Sequence, residues 1–314
     1  MSRERLIDEI REALAKTGFF VSAKHGERGL CFDLVARRDR ALLFVKVLQN
    51  VDAFSKANAT ELKVIARTLE GAPLLVGGRS GTGPLEEGVL YTRFDVPIVS
   101  HRTFLELLED GVPPFIFSAP GGLYVNLDTG VLRTLREERQ ISLGTLAEVA
   151  GVSRRTIQMY LEGMSATVDV ALRLEEFLGQ SIVLPVDPLT FPQTMERVIA
   201  SSFAGLEAFE RDLFRRLARL GYDVLPTHRS PFEAFTQHDK TTLLTGVGDS
   251  DTPIERKAVI VANIRRIVEK DAVLFVERRT IRTTIQGVPV IGREEVRKAK
   301  DLDAVEDLIA ARKG

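Results

Sequence analysis

The sequence has almost no cysteine. Cys31 is the single cysteine in 314 residues, so an internal disulfide and a cysteine-rich zinc site are both excluded. Its neighbours Leu30 and Phe32 predict a buried thiol on a strand. No hydrophobic run approaches the roughly 20 residues that a membrane-spanning helix needs. The opening residues MSRERLIDEIREALAKTG form an amphipathic pattern unlike that of a signal peptide, and we expect a soluble cytoplasmic protein.

The sequence also has no excess of either charge. Lys and Arg together number 43 against 44 Asp and Glu, so the overall charge neither indicates nor excludes a nucleic-acid partner. Any basic surface must therefore be local. The four histidines are scattered without metal-ligand spacing, and no phosphate-binding loop or nucleophile motif is present. We expect no cofactor.

The two ends of the chain carry the same order of patterned segments. Each end is predicted to form a helix, three strands, a helix, two strands and a helix. FDLV at 32–35 corresponds to FEAF at 232–235, and LLFVKV at 42–47 to TLLTGV at 242–247, both with an offset of 200 positions. VLYTRFDVPIVS (89–100) predicts a single strand. We interpret the two ends as an internal duplication; two unrelated α/β domains are the alternative.

A hairpin and a helical unit lie between the two copies. IFSAPGGLYVNL (116–127) alternates on either side of Pro120-Gly121-Gly122, which predicts two short strands and a turn. IVLPVDPLTFP (182–192) contains three prolines and indicates a linker. The fold class is therefore α/β plus all-α. The expected domains are 1–112 (α/β copy), 113–130 (hairpin linker), 131–181 (helical unit), 182–200 (Pro-rich linker) and 201–314 (second α/β copy).

The central helical unit contains two short helices joined at a glycine. Ser142 stands where an N-cap belongs, before LGTLAEVA, and Gly151 supplies the positive φ that ends this helix. Ser153 caps the next helix, whose inward face carries Ile157, Tyr160 and Leu161. VLRTLREERQ (131–140) and VDVALRLEEFLG (168–179) predict a supporting helix on either side. Together these elements predict a helix-turn-helix domain.

The segment LRTLREERQISLGTLAEVAGVSRRTIQMYLEG, with the apolar helix that follows it, resembles the DNA-binding domain of phage repressors and Cro proteins. Ala147 is small, as the crossing of the two motif helices requires, whereas Leu143 stands where many relatives have a polar residue. The whole arrangement is similar to a family of archaeal transcriptional regulators of about this length. The positions that carry the resemblance are Leu146, Ala147, Gly151, Val152, Ser153, Ile157 and Gly163.

The resemblance implies a sequence-specific regulator that binds double-stranded DNA. Residues 153–162 would be the recognition helix, which enters the major groove. Arg154, Arg155 and Gln158 would reach bases or phosphates, with Met159 beside them on the outward face. The residues expected to contact phosphates are Ser142, Thr145, Ser153 and Thr156. Residues 131–163 contain five Arg and four Glu, so the net positive charge is small and one copy would bind DNA weakly. We therefore expect a homodimer with two recognition helices.

The flanking copies resemble restriction endonucleases and Holliday-junction resolvases. Those enzymes place an Asp on one strand and Glu-x-Lys on the next, so that two carboxylates hold Mg²⁺. Here Asp33 and Lys46 are present, but Phe44 occupies the position of the second carboxylate. In the second copy Glu233 and Gly246 stand at the Asp and Lys positions. We therefore expect degenerate copies with no catalytic residue, no metal site and no enzymatic activity.

Two alternatives remain open from the sequence. One is a nuclease or recruitment factor that the helix-turn-helix only targets to DNA; the other is a protein-interaction module whose arginines are merely solvated. For the flanking copies three roles stay open: mediating dimerisation, holding the DNA backbone and binding a small-molecule effector. Basic residues cluster in both copies: Arg37, Arg38 and Arg40 in the first, and Arg265, Arg266, Arg278, Arg279 and Arg282 in the second.

Overall fold

The chain folds into two compact units. The computed structural model describes residues 2–24, 29–191, 203, 205–248, 251–278 and 282–313, with side chains in the ninth helix from Ile254 onward. Unit 1 comprises Met1–Thr17, Val47–Ser55 and Pro73–Thr194; unit 2 comprises Gly18–Lys46, Lys56–Ala72 and Met195–Gly314. None of the helices in these described ranges is long and apolar enough to cross a membrane.

The helices and strands follow the chain in this order. The helices are α1 (Arg3–Lys16), α2 (Lys56–Thr68), α3 (His101–Glu109), α4 (Thr129–Glu138), α5 (Leu143–Ala150), α6 (Arg154–Leu161), α7 (Val168–Leu178), α8 (Ala208–Leu220), α9 (Asp251–Val268), α10 (Arg293–Lys298) and α11 (Leu302–Arg312). The strands are β1 (Phe20–Val21), β2 (Leu34–Arg38), β3 (Ala41–Asn50), β4 (Ala72–Ser80), β5 (Gly83–Pro84), β6 (Val89–Arg93), β7 (Val96–Ser100), β8 (Ile116–Ala119), β9 (Gly122–Leu127), β10 (Ala166–Thr167), β11 (Val183–Leu184), β12 (Asp223–Pro226), β13 (Ala234–His238), β14 (Thr241–Gly248), β15 (Asp271–Val276), β16 (Thr284–Ile285) and β17 (Val288–Gly292).

Unit 1 joins part of a sheet to the helical unit. Its strands run in the order β4-β7-β6-β8-β9-β10, with β11 also paired to β9. The opening helix α1 packs against α3 through an apolar face that includes Ile10 and Leu14, as its spacing predicts. The hairpin predicted over 116–127 is confirmed, because β8 and β9 pair antiparallel with Ala119 opposite Gly122.

The hairpin strand β9 belongs to the same folded body as the helices. It pairs with β10 and with β11, and its Val125 and Leu127 are buried among the helical side chains. Ile182, at the start of the segment predicted as a linker, is buried in the same core, and residues 192–200 of that segment lie outside the described ranges. The helices α4 to α7 are therefore held against a small sheet.

Unit 2 contains a six-stranded sheet in the order β12-β13-β14-β15-β17-β16. The helix α9 packs against β14 and β15 and also against β2 of the N-terminal region. Backbone amides of His228 and Arg229 donate to the carboxylate of Glu61 on α2. The amide of Ala23 donates to Asn263 Oδ1 of α9 at 2.7 Å. Segments from both ends of the chain thus pack together within this unit.

The stretch 89–100 is a hairpin, so the prediction of a single strand was wrong. Phe94 and Asp95 both have positive φ (53° and 61°) and form the two-residue turn between β6 and β7. Gln286 and Gly287 make the corresponding turn between β16 and β17. A Phe-Asp pair is a poor turn signal, because such turns usually carry Asn-Gly or Asp-Gly, and the apolar alternation runs on through it.

Candidate nucleic-acid interface

The turn between α5 and α6 is built from two serine caps and one glycine. Ser142 Oγ accepts the amide of Thr145 at 3.0 Å and so caps α5. Ser153 Oγ accepts the amide of Thr156 at 3.1 Å and caps α6. Gly151 has φ 67° and ψ 34°, the left-handed conformation that ends α5. These predictions from the sequence are confirmed.

The angle between the two helices is fixed by a buried core. Leu146 and Ile157 are fully buried, and Ala147 lies between the helices at 7% exposure. Tyr160 and Leu161 complete the inward face of α6, and burial raises the pKa of the Tyr160 phenol, which stays neutral. Leu143 packs against the edge of this core, so its departure from the family pattern serves packing. The predicted core of the motif is confirmed.

The predicted contact residues lie together on the outer side of the motif. Arg154, Arg155 and Gln158 are exposed, and Met159 is 41% exposed. The guanidinium of Arg154 lies over the backbone of Gly144 in the first turn of α5. The hydroxyls are arranged as two pairs at the two helix N-termini: Ser142 with Thr145 (2.9 Å) and Ser153 with Thr156 (2.8 Å). Their contact with DNA stays a prediction.

Five of the six arginines of the helical unit fall into two groups. Three donate to backbone carbonyls at helix C-termini: Arg133 to Leu161 (2.6 Å), Arg139 to Leu178 (2.7 Å) and Arg173 to Ala150 (2.7 Å). Within the described residues, Arg154 and Arg155 form no ion pair and no hydrogen bond. The structural arginines close the ends of the helices, whereas the two arginines of α6 face solvent with their donors unused.

Replacing Gly151 should loosen the motif locally. A Cβ at this position meets nothing closer than Arg173 at 3.7 Å, so the cost of Gly151→Ala is conformational and should be about 1 kcal/mol. Hydrogen exchange of the α5 and α6 amides should quicken accordingly. Gly151→Asn should cost less, because asparagine tolerates left-handed φ; equal protection in all three proteins would contradict this explanation.

Asp33, the residue before β2, and Lys46 on β3 form a buried ion pair. Lys46 Nζ lies 3.3 Å from Asp33 Oδ1 and 2.6 Å from the carbonyl of Leu30, with both side chains at most 6% exposed. The ring of Phe44 is fully buried and stacks edge-on against Phe32 at 5.5 Å. An apolar ring thus fills the position that a second metal-binding carboxylate would need.

The second copy builds a similar pair from different positions. Glu233 takes the place of Asp33, and Lys257 of α9 donates to its carboxylate. Gly246 leaves space for two neighbours, because a Cβ there would clash with Leu274 Cδ2 and lie 3.3 Å from Lys257 Cδ. Burial raises the pKa of Glu233, while the Lys257 ammonium and the amide of Val247 oppose that rise. The sequence predicts no lysine at the strand position of this copy, and Gly246 does stand there. The lysine that pairs with Glu233 comes from α9 instead, as Lys257.

The described part of the chain brings no three metal-ligating side chains together. No group of three His, Cys, Asp or Glu residues is placed to hold an ion within those ranges. Cys31 is buried as predicted, and burial raises the pKa of its thiol, which therefore stays protonated. The helical unit presents Arg154 and Arg155, unpaired among the described residues, beside two capped helix N-termini, an arrangement suited to binding an extended anion.

Two models of known protein families match parts of the chain and indicate its class. The family model of a helix-turn-helix matches residues 132–184, and the model of a PD-(D/E)XK superfamily domain matches residues 3–114. The chain is therefore a helix-turn-helix protein with a nuclease-type domain, as the resemblances in the sequence predicted. No solved structure matches it.

Several archaeal proteins match over the whole length. The chain is 35% identical to a protein of Methanococcoides burtonii (99% of this chain, 98% of the relative). It is 36% identical to relatives from Natronomonas pharaonis (99% of each chain) and Halobacterium salinarum (99% of this chain, 98% of the relative). Each is named "Putative HTH-type transcriptional regulatory protein". The chain belongs to this family of HTH-type transcriptional regulatory proteins.

Proposed function

We propose that the chain is a sequence-specific DNA-binding transcriptional regulator that inserts α6 into the major groove. The observation that carries the proposal is the pair of arginines, Arg154 and Arg155, exposed and unpaired among the described residues, on a helix whose inward face is locked by Ile157. Arginine bonds guanine through two parallel N–H donors, and glutamine bonds adenine similarly. Arg155 and Gln158 would read bases, and Met159 would contact a thymine methyl group.

The helix N-termini supply the phosphate contacts in this proposal. The first turns of α5 and α6 present backbone amides and the hydroxyls of Ser142, Thr145, Ser153 and Thr156. Arg154 lies over the first turn of α5, so it would bridge the two N-termini to one strand of the backbone. These contacts would set the register of the recognition helix without reading sequence.

A homodimer is part of the same proposal. The motif between 131 and 163 carries five Arg and four Glu, and three of those arginines (Arg133, Arg136, Arg139) lie outside α6. One copy would neutralise few phosphates and bind weakly. Two copies would place two recognition helices about one DNA turn apart and would double the contacts. A palindromic site then follows from the two-fold symmetry of the dimer.

We further propose that two nuclease-like copies flank the helix-turn-helix and serve as scaffolds. The antiparallel registers support a duplication, since Leu34 opposite Val45 matches Ala234 opposite Thr245 with the same offset of 200. The parallel pair β4–β7 is likewise matched by β15–β17, each joined to a two-residue hairpin. A small-molecule effector would bind to these copies.

The scaffolds are proposed to have no enzymatic role. The match to the PD-(D/E)XK superfamily makes Mg²⁺-dependent cleavage the second candidate function. We expect no cleavage of duplex or branched DNA with Mg²⁺, because Asp33 is already paired with Lys46 and Phe44 occupies the strand position of the second carboxylate. Cleavage that disappears in Asp33→Ala would establish the nuclease instead, and the Lys46→Gln variant should then be inactive as well.

The proposed function is tested by selecting bound sequences from random duplex DNA. The full chain should enrich a palindrome whose half-sites are centred about 10 base pairs, or a multiple of one DNA turn, apart. Enrichment of a single half-site would support sequence-specific DNA binding but contradict the proposed homodimer. No enrichment above non-specific binding would contradict the proposed function.

A further inference from the structure

A basic pocket lies in unit 2 at the C-terminal end of α9. It is an open depression of about 510 Å³, within the usual size range of small-ligand pockets. Six charged side chains line it, four of them cationic: Arg265, Arg266, Glu269, Lys270, Asp271 and Lys313. The sequence singled out Arg265 and Arg266 as part of a basic cluster; Arg279 of that cluster lies outside the described residues.

The two acids of the pocket are already neutralised. Glu269 pairs with Arg37 of β2 at 2.9 Å, and Asp271 pairs with Lys313 at 2.6 Å. Within the described residues, Arg265, Arg266 and Lys270 have no acidic partner. Arg265 and Lys270 are half-buried, so part of their hydration is lost as well. Three cations therefore share one pocket with no negative charge left to balance them.

The backbone at this corner does not require the cations. Helix α2 ends in the same way as α9: Glu70 (φ 56°) and Glu269 (φ 54°) both take the left-handed conformation after the helix. In each case the next amide donates back to a carbonyl of the last turn, at 2.7 Å in α2 and 3.2 Å in α9. The α2 corner does so with Ala66 and Gly71 where α9 has Arg265 and Lys270.

Helix capping also fails to explain the third cation. Cations in the last turn of a helix interact favourably with its free carbonyls, which accounts for Arg265 and Arg266. Lys270 lies past the end of α9, and it turns back towards the same pocket. Placing Lys270 beside Arg265 and Arg266 costs free energy through like-charge repulsion unless an anion is bound.

We propose that this pocket binds a small phosphorylated molecule through Arg265, Arg266 and Lys270. Arginine grips a phosphate through two N–H donors, and lysine adds a point charge. Three cations match a ligand with at least two phosphoryl groups, such as a diphosphate ester. The ligand would be an effector of the chain, bound to the scaffold rather than to the DNA-reading helix.

The test is isothermal titration calorimetry of the full chain with sodium pyrophosphate as the probe. The variant Arg265→Gln/Lys270→Gln keeps both side chains polar and should bind pyrophosphate at least about tenfold more weakly. The exposed single variant Arg266→Gln should also weaken binding and cannot disturb the core. The matched control is Arg215→Gln/Arg219→Gln on α8, two exposed arginines that form no ion pair among the described residues.

Saturable 1:1 binding that is lost in the pocket variants and kept in the control supports the site. No saturable heat from pyrophosphate, or equal weakening in the control, overturns it. If the pocket variants keep pyrophosphate but lose affinity for duplex DNA, the cluster holds the DNA backbone and the effector site is wrong. Because the probe is not DNA, the site can be established even if selection from random DNA enriches nothing.

Discussion

Replacing Arg154 and Arg155 together with alanine should weaken binding to the selected DNA sequence by about 1–3 kcal/mol for each arginine that contacts a base. Both side chains are exposed and unpaired in the described part of the chain, and alanine is a better helix former than arginine. The fold should therefore be untouched, and the loss should be in DNA contacts alone. Fluorescence anisotropy at several salt concentrations measures both the affinity and its salt slope.

The control for this variant removes the same charge from another helix. Arg215→Ala/Arg219→Ala on α8 should change the affinity only slightly and equally for all sequences. Arg155→Ala alone should relax base preference at one position of the site, whereas Arg154→Ala should weaken all sequences alike. If the double variant on α6 binds with unchanged affinity and salt slope, the motif is a protein-interaction module.

Replacing Lys257 with methionine should destabilise unit 2 by about 3 kcal/mol at neutral pH, the lower end of the range for a broken buried ion pair. Lys257 is the cation that neutralises Glu233, and the two side chains are 24% and 19% exposed. Removing it leaves a largely buried carboxylate whose remaining hydrogen-bond donor, among the described residues, is the amide of Val247 at 2.6 Å. Urea unfolding, followed by hydrogen exchange in β13 and β14, measures the loss.

The deficit of Lys257→Met should shrink as the pH falls. Burial already raises the pKa of Glu233 in the folded protein, and loss of the ammonium raises it further. A carboxyl group with a raised folded pKa adds stability below its unfolded pKa and loses that stability as the pH rises through the folded pKa. The variant should thus approach the wild type near pH 4 and fall furthest behind near pH 7.

Two companion variants separate charge from packing in this pair. Glu233→Gln/Lys257→Met removes both charges and should recover part of the stability at pH 7. Lys240→Met, at the exposed turn between β13 and β14, should leave stability and its pH dependence unchanged. A deficit in Lys257→Met that does not depend on pH would show that only packing is lost.

The helix-turn-helix was predictable because its determinants are local. Ser142, Gly151 and Ser153 are capping and turn residues, which act within four positions of themselves. Ala147 and Ile157 follow helical spacing, which the sequence displays directly. The exposed face of α6 then follows from the buried one, and it carries Arg154, Arg155 and Gln158 as the sequence predicts.

Features that depend on distant residues were not predictable in this way. Lys257 reaches Glu233 from a helix 24 positions along the chain, and nothing in the local pattern marks that contact. Arg173 on α7 donates to the carbonyl of Ala150 at the end of α5, and these two residues are 23 positions apart in the sequence. Gly246 is a partial signal, since a glycine inside a strand often makes room for a neighbour, and here it makes room for Leu274 as well as Lys257.

Guanine methylation interference on the selected sequence tests the central claim most directly. Guanine N7 lies in the major groove and is an acceptor for arginine, so its methylation should block binding wherever α6 reads a guanine. Interference in both half-sites that disappears in Arg154→Ala/Arg155→Ala is the result expected of a recognition helix. Binding that is indifferent to N7 methylation at every guanine, in a site that contains them, would contradict major-groove reading by α6.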